Sequence, residues 1–277
     1  MRLRLMLLLL PLAPLAAQEP LPFLEHEPGP ERGWALTLGA RVLDHPDYLG
    51  SDVRRTNLLP VFDAEYNRTW YLGSSRVGPG FGGGAHVWRE GGFTWDLGLG
   101  VGDSRPESRS PLLAGMGDQR ADLFAGTGLH YHFQGFHAGL TLSHGLRDDA
   151  GDRVTLTLGQ VVRVAPRWFL SAGVYGTWAD TDAMNYEFGI TPQQAANRAM
   201  LAALGEASLT PAQFGPFTAQ AGVRDVGTRI ALNYRPRPRW TWTVEIQGDE
   251  LLGGVRNSPL VARNGSLAGG AGFAYRF

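Results

Sequence analysis

The segment ARVLDHPDYLGSD ends at Asp52 and packs Asp44, His45, Asp47 and Asp52 into nine positions around Pro46 and Gly50-Ser51. Carboxylates and an imidazole this close have the makings of a metal site or an acid–base centre. They are equally the makings of a polar loop, because Asp, Pro, Gly and Ser are the ordinary turn formers. A second set is His130, His132 and His137, with Gln134-Gly135 between them. A two-residue hairpin there sets residue 132 opposite 137, and imidazoles paired in this way could hold zinc or copper. Polar rings filling a wet interior would use the same residues. GPGFGGGAH spaces Gly78, Gly80 and Gly83 like a dinucleotide-binding loop, but that fingerprint has meaning only between a strand and a helix. Here alternation resumes at Ala85, His86 and Val87, so the glycines open a strand. Ser143 and His144 are adjacent, so an extended chain points them to opposite faces and they form no nucleophile–base pair. The residues thus propose no catalytic set and no cofactor motif, and only a weak metal site at the histidines.

Whatever these side chains do, extended segments position them. In GGFTWDLGLGVG, Phe93, Trp95, Leu97, Leu99 and Val101 point one way, while Thr94, Asp96, Gly98 and Gly100 point the other. RADLFAGTGLHYHF, GFHAGLTLSHGL, RVTLTLGQVV, RWFLSAGVYGTW, RWTWTVEIQG and SLAGGAGFAYRF repeat the pattern. Each run is about ten residues long, the length a tilted strand needs to cross a bilayer.

The connections alternate as well. Short links fall at Asn67-Arg68, Arg89-Glu90-Gly91, Gln134-Gly135, Ala165-Pro166 and 235–238, and longer ones at 42–57, 103–119, 179–221 and 250–266. Two links on the long side, 75–80 and 148–152, are short exceptions. Aromatics cluster beside nearly every short turn: Tyr66 and Trp70, Trp88 and Trp95, Phe133 and Phe136, Trp168, Tyr234 and Trp240. Turns on one rim, loops on the other and an aromatic girdle predict an all-β, transmembrane, antiparallel up-and-down β-barrel of about 12 strands. A soluble sandwich also alternates, but it does not predict a one-sided rim. An even strand number returns both termini to the periplasmic rim.

Composition agrees. The chain has 277 residues, 38 Gly, no Cys and a net charge of -1. Zero cysteine removes disulfides, thiolate chemistry, Cys-ligated zinc and a lipid anchor on an N-terminal Cys. Near-neutral charge offers no basic face for nucleic acid. MRLRLMLLLLPLAPLAA reads as a signal peptide over 1–17, with Arg2 and Arg4 ahead of an apolar run too short to span as a helix. Residues 18–32, rich in Pro and Glu, read as a flexible periplasmic lead-in, and 33–277 as the barrel. In the longest loop, ITPQQAANRAMLAALGEASLT predicts one short helix: Thr191 as N-cap, Pro192 first, Gly205 near the end, and Ala196, Met200, Ala203 and Leu204 as its apolar stripe.

Several stretches carry a family resemblance. YLGSD, spanning Tyr48, Gly50, Ser51 and Asp52 behind Asp47, and the downstream NLLPVFDAEY resemble the start of the MipA/OmpV family, the MltA-interacting proteins of Gram-negative outer membranes. MGDQRADLFAGTGLHY, NYEFGITPQQAANR and RWTWTVEIQGDELLGGVRNSPLV resemble later family segments in the same order, with Glu187 a departure in a segment usually more neutral. The ending GGAGFAYRF fits too, and Phe273, Tyr275 and Phe277 on one face match the C-terminal signal read by barrel-insertion machinery. The resemblance implies no catalytic residue. It implies an outer-membrane barrel, set among lipid and lipopolysaccharide, that scaffolds a murein transglycosylase and a murein synthase. A small porin-like channel and a barrel enzyme or metal-binding protein are the alternatives. The opening segment becomes the first loop on the outer rim: the first strand ends at Arg41, Asp44 and Asp47 form turns, and Asp52 pairs with Arg54 or Arg55.

Overall fold

The computed structural model describes residues 30–147 and 149–277. The expected signal peptide (1–17), and the lead-in up to residue 29, lie outside the described residues. Twelve strands follow one another around a closed barrel. The first six are β1 (Trp34–Pro46), β2 (Arg54–Tyr66), β3 (Trp70–Ser74), β4 (Phe81–Glu90), β5 (Phe93–Val101) and β6 (Leu123–Phe133). The rest are β7 (Phe136–Gly145), β8 (Asp152–Ala165), β9 (Trp168–Ala179), β10 (Gly222–Arg237), β11 (Trp240–Leu251) and β12 (Gly265–Arg276). Neighbours pair antiparallel, and β12 closes on β1 from Thr37 opposite Arg276 to Asp44 opposite Gly269. Closure leaves no strand edge to hydrocarbon, where an unpaired backbone group has no water to turn to.

Side-chain alternation turns this barrel inside out relative to a soluble protein. Leu97, Leu158, Val174, Ile230 and Val244 are exposed on the outer wall, whereas Arg41, Glu65, Asp96, Arg229 and Glu245 are buried within. An apolar belt of that extent is a lipid-facing surface. Below it runs the girdle: Tyr66 faces Trp70, Trp88 faces Trp95, Phe133 faces Phe136, Trp168 faces Tyr234 and Trp240 faces Tyr275 across paired strands. The turns there are tight. Asn67 and Arg68 both have φ of +53°, the left-handed pair of a primed turn that matches strand twist, closed by Thr69 N on the Tyr66 carbonyl at 3.0 Å.

Glycines make room inside. A Cβ on Gly84 would lie 2.6 Å from the Tyr71 hydroxyl, which reaches across β4 to β5 inside the wall. The link 75–80 also enters the lumen: Val77 is wholly buried, and a Cβ on Gly78 would lie 2.6 Å from the Phe124 ring. That inward fold explains why the link is short and why β3 has only five residues.

Three local expectations change. β1 runs to Pro46 rather than ending at Arg41, because Pro46 pairs with Arg54 and Asp44 with Thr56, which leaves only 47–53 as the first loop. The long loop holds two helices, α1 (Thr181–Phe188) and α2 (Pro192–Ala203), where one was predicted. The α2 start is as predicted, with a Thr191–Gln194 capping box and Pro192 first. Its inner face is not, for Ala195 and Arg198 are buried while Met200 and Leu204 are 56% and 64% exposed. The reason is Arg198, whose guanidinium donates to the carbonyls of Gln213, Leu112 and Ala114 at 2.9, 2.8 and 3.0 Å and so turns the helix.

The belt is testable at Val244, midway along β11 and 62% exposed. Val244→Arg is expected to lower unfolding free energy in phospholipid vesicles by about 2–4 kcal/mol. Unchanged stability would mean that this face does not meet lipid.

Candidate functional site

The distinctive chemistry lies inside the barrel. A cavity of about 1100 Å³ runs from Gly91 and Arg276 at the turn rim to Asp103 and Tyr186 at the loop rim. Its wall is laced with charge in compensated sets, and every one of the chain's 25 basic side chains is arginine. Glu245 on β11 sits between Arg41 on β1, at 3.4 Å, and Arg229 on β10, at 2.5 Å. Arg89 donates to Glu65 at 2.8 Å, and Arg76 on the inward link faces Asp63 at 3.5 Å. A planar guanidinium suits this role, since it makes forked bonds to a carboxylate without losing its charge. A buried charge left alone would be expensive, so the lumen holds pairs and triads.

His86 forms the least exposed of these sets. Its Nδ1 contacts Asp96, the second Asp96 oxygen lies 3.5 Å from His130 Nε2, and its own Nε2 is 3.9 Å from Glu65. Asp96 was visible in the sequence as an inward residue, but its imidazole partner was not. A register shift between His86 and Trp88 aims His86 inward where strict alternation from the girdle would mislead. No Ser or Thr hydroxyl bonds His86 among the described residues.

The histidine cluster assembles as the hairpin predicts. His132 pairs with His137 across Gln134-Gly135, their rings 4.6 Å apart, and both line the cavity. His130 stacks on His137 at 5.8 Å, while its Nε2 bonds the Arg76 carbonyl at 3.1 Å. Among the described residues no three His, Asp or Glu side chains converge with metal-binding geometry. Ser143 is buried inside and His144 is exposed, bonded to Asp152 at 2.7 Å, so the two do point apart.

The first-loop motif is a clasp between the two ends of the barrel sequence. Asp47 N bonds the Val53 carbonyl at 2.9 Å, and Ser51 Oγ caps Val53 N at 3.1 Å. Tyr48 donates to the Leu260 carbonyl at 2.9 Å, and the Gly50 carbonyl accepts from Ala262 N at 2.8 Å. Gly50 has φ of +94°, which only glycine adopts readily. Asp52 is exposed and forms no ion pair among the described residues, contrary to the expectation that it pairs with Arg54 or Arg55. Those arginines pair with Asp44 and with buried Asp47, the latter at 2.8 Å, because β1 and β2 continue upward and bring them into register. Burial pushes the Asp47 carboxyl up, against the pull of Arg55 and Arg109.

Above the lumen sits a cap with apolar cores of its own. Ala183, Met184 and Phe188 of α1 pack with Leu251 and Val255, and Leu113, Ile190 and Ala195 pack with Leu260. Asn185 clamps Ala219 in both directions, at 2.9 and 2.8 Å. One carboxylate ties this cap to the wall. Glu187 accepts from Arg153 of β8 at 3.1 Å and from Arg224 of β10 at 2.9 and 3.0 Å, and Arg105 donates to its carbonyl at 2.5 Å. The family resemblance marked Glu187 as a departure, and here it is the latch. Burial by itself would raise its carboxyl, but Arg224 and Arg153 outweigh burial and hold it below the usual range.

A family model described as MltA-interacting protein MipA matches residues 38–277. The chain belongs to the MipA family. This MipA-family barrel is an outer-membrane protein, as the apolar belt and aromatic girdle require. No curated protein matches its sequence. Among solved structures it is similar to an outer membrane channel from Pseudomonas putida F1, at 9% identity and TM-score 0.44 over 91% of this chain and 98% of that one. It is also similar to the NanC porin, at 8% and 0.43 over 86% and 98%. A Pseudomonas aeruginosa FadL homologue gives 9% and 0.36 over 88% and 88%. The terminal rings lie beside the girdle, with Phe273 5.3 Å from Trp242 and Tyr275 5.0 Å from Trp240. Phe277 packs edge-on against Tyr275 at 4.7 Å.

The latch makes a pH prediction with a definite sign. A carboxyl held below its ordinary value stabilises docking fully above pH 4.5 and loses that contribution as pH falls further, through its depressed pKa. Residues 180–221 should therefore resist limited proteolysis near neutrality and become labile only in stronger acid. Glu187→Gln removes the carboxylate that Arg153 and Arg224 share and leaves each with only its wall partner, Asp122 at 3.0 Å and Asp225 at 2.5 Å, so the cap loses its tie, should be cut at neutral pH and should lose the acid-linked step. Equal protection of variant and wild type at neutral pH would remove Glu187 from this role.

Proposed function

We propose that this barrel is a non-enzymatic envelope scaffold linked to peptidoglycan remodelling, with its turn rim and termini in the periplasm and its loops toward lipopolysaccharide. The observation that carries the reading is the cap. Two apolar clusters and the Glu187 latch close the loop side, so the surface left to soluble partners is the turn rim. The family description names interaction with MltA, a murein transglycosylase, and a transglycosylase acts in the compartment that this rim faces. A scaffold of this kind holds the enzyme near its substrate without any chemistry of its own. The commitment of His86 to Asp96, with no hydroxyl nucleophile at its other nitrogen among the described residues, supports the non-enzymatic part. Phe273, Tyr275 and Phe277 serve as the insertion signal. The lumenal histidines act as polar wall, so His132→Ala/His137→Ala should leave metal content unchanged.

The test is retention. Full-length protein in detergent micelles should retain a murein transglycosylase on affinity resin, and a murein synthase through it. Loss of both at low and moderate salt would count decisively against the scaffold. A second reading, a small-solute channel, rests on the charged cavity of about 1100 Å³. In planar bilayers the scaffold predicts little steady conductance until the latch is removed by Glu187→Gln. Steady open channels in the wild type would favour the channel instead.

A further inference from the structure

The ion pairs that neutralise the lumen stop short of the turn rim on one side of the barrel. From β8 to β12 this rim carries Arg163, Arg167, Arg235, Arg237 and Arg239, with Arg276 closing the arc. The stretches that hold them, VVRVAPRW, NYRPRPRW and AYRF, contain no Asp or Glu. None of the first five has an ion pair among the described residues. Backbone bonds fix them side by side: Arg235 N donates to the Arg167 carbonyl at 2.8 Å, and Arg276 N to the Arg239 carbonyl at 2.9 Å. The remaining rim differs, because there Arg68 faces Glu31 at 3.5 Å and Arg89 faces Glu65 at 2.8 Å.

Alternation sets the direction of Arg235, Arg239 and Arg276, whereas Arg237 pairs with Trp240 and shares its outer face. Tyr234, Trp240, Phe273 and Tyr275 occupy the lipid face, while Arg235, Arg239 and Arg276 line the lumen mouth. Guanidiniums placed there meet water and cannot reach headgroup phosphates outside the wall. A further observation points to a ligand. Arg235 Nε is buried without a hydrogen-bond acceptor, although its guanidinium lies 4.9 Å over the Phe169 ring.

We infer that this arc is a carboxylate-binding surface for murein, whose peptide stems present free carboxylates at regular intervals along the polymer. The inference rests on the turn rim facing the periplasm, as proposed above. Several spaced guanidiniums suit a repeating polyanion better than a single small anion, and each makes a forked bond to a carboxylate. The scaffold would then grip the substrate layer as well as the enzyme that acts on it.

Purified full-length protein in micelles, mixed with isolated murein sacculi, should pellet with them, and the pelleted fraction should fall as salt screens the charges. Arg167→Gln/Arg235→Gln/Arg239→Gln should weaken pelleting roughly tenfold, the yield of a few exposed charge contacts. Arg256→Gln on the loop rim should not change it. Heat-modifiable gel mobility certifies folding, and Arg239→Glu alone serves if the triple variant does not fold. Sacculi with carboxyls blocked as amides should not capture the wild type. Pelleting unchanged in the folded variants, or equal capture by blocked sacculi, would overturn the inference. So would loss of transglycosylase retention by the variant with sacculus binding intact, since the arc would then serve an acidic protein. Absence of transglycosylase retention by the wild type bears on the scaffold reading alone and leaves the sacculus result standing.

Discussion

The structure depends on one constraint: in hydrocarbon every backbone N–H and C=O must be paired within the protein. A sheet meets it only by closing, so β12 must find β1 although they lie at opposite ends of the sequence. Closure also assigns each residue to lipid or lumen, since side chains alternate along a strand. The outer wall becomes mostly Leu, Val, Ile and aromatic rings, and the charged side chains along the middle of the strands, such as Arg41, Asp96, Arg229 and Glu245, are driven inward. The first-loop clasp serves the same closure from above, because Tyr48 and Gly50 bond the last loop where the first and last hairpins meet.

Forcing polar groups inward creates a second problem, which the arginine-only chemistry of the chain solves. The lumen is wet enough to admit charge and narrow enough that charges must be matched. Glu245 between Arg41 and Arg229, and Glu187 between Arg153 and Arg224, join strands that are not all neighbours and tie wall to cap. Buried ion pairs of this kind specify geometry more than they add stability, since desolvation offsets most of the attraction. A cap tied by a carboxylate between two guanidiniums seats in one orientation. On the turn rim between β8 and β11, Arg163, Arg167, Arg235, Arg237 and Arg239 stand outside these ion-paired sets among the described residues.

Much of the architecture was legible in the sequence because period-two alternation is local, as are turn chemistry and helix capping. The GGFTWDLGLGVG pattern gives both faces of β5, and the aromatic pairs beside each turn give the girdle. Thr191-Pro192 gives the start of α2 for the same reason. Its buried face was misread because a hydrophobic stripe assumes an apolar partner, whereas Arg198 docks α2 onto loop carbonyls. His86 escaped notice because a register shift, invisible to simple alternation, turns it toward Asp96.

The sequence by itself determined the barrel, its strand number, the two unlike rims and the family. Each follows from spacing along a few residues, or from segments matched in order. Only the tertiary structure decided which carboxylate meets which guanidinium, since those partners are brought together by closure across separations as long as the 204 positions from Arg41 to Glu245. It also decided that the Asp47–Asp52 segment is a structural clasp and that Glu187 is a latch. Both outcomes depend on loops from distant hairpins converging over one mouth, and no local pattern encodes that convergence.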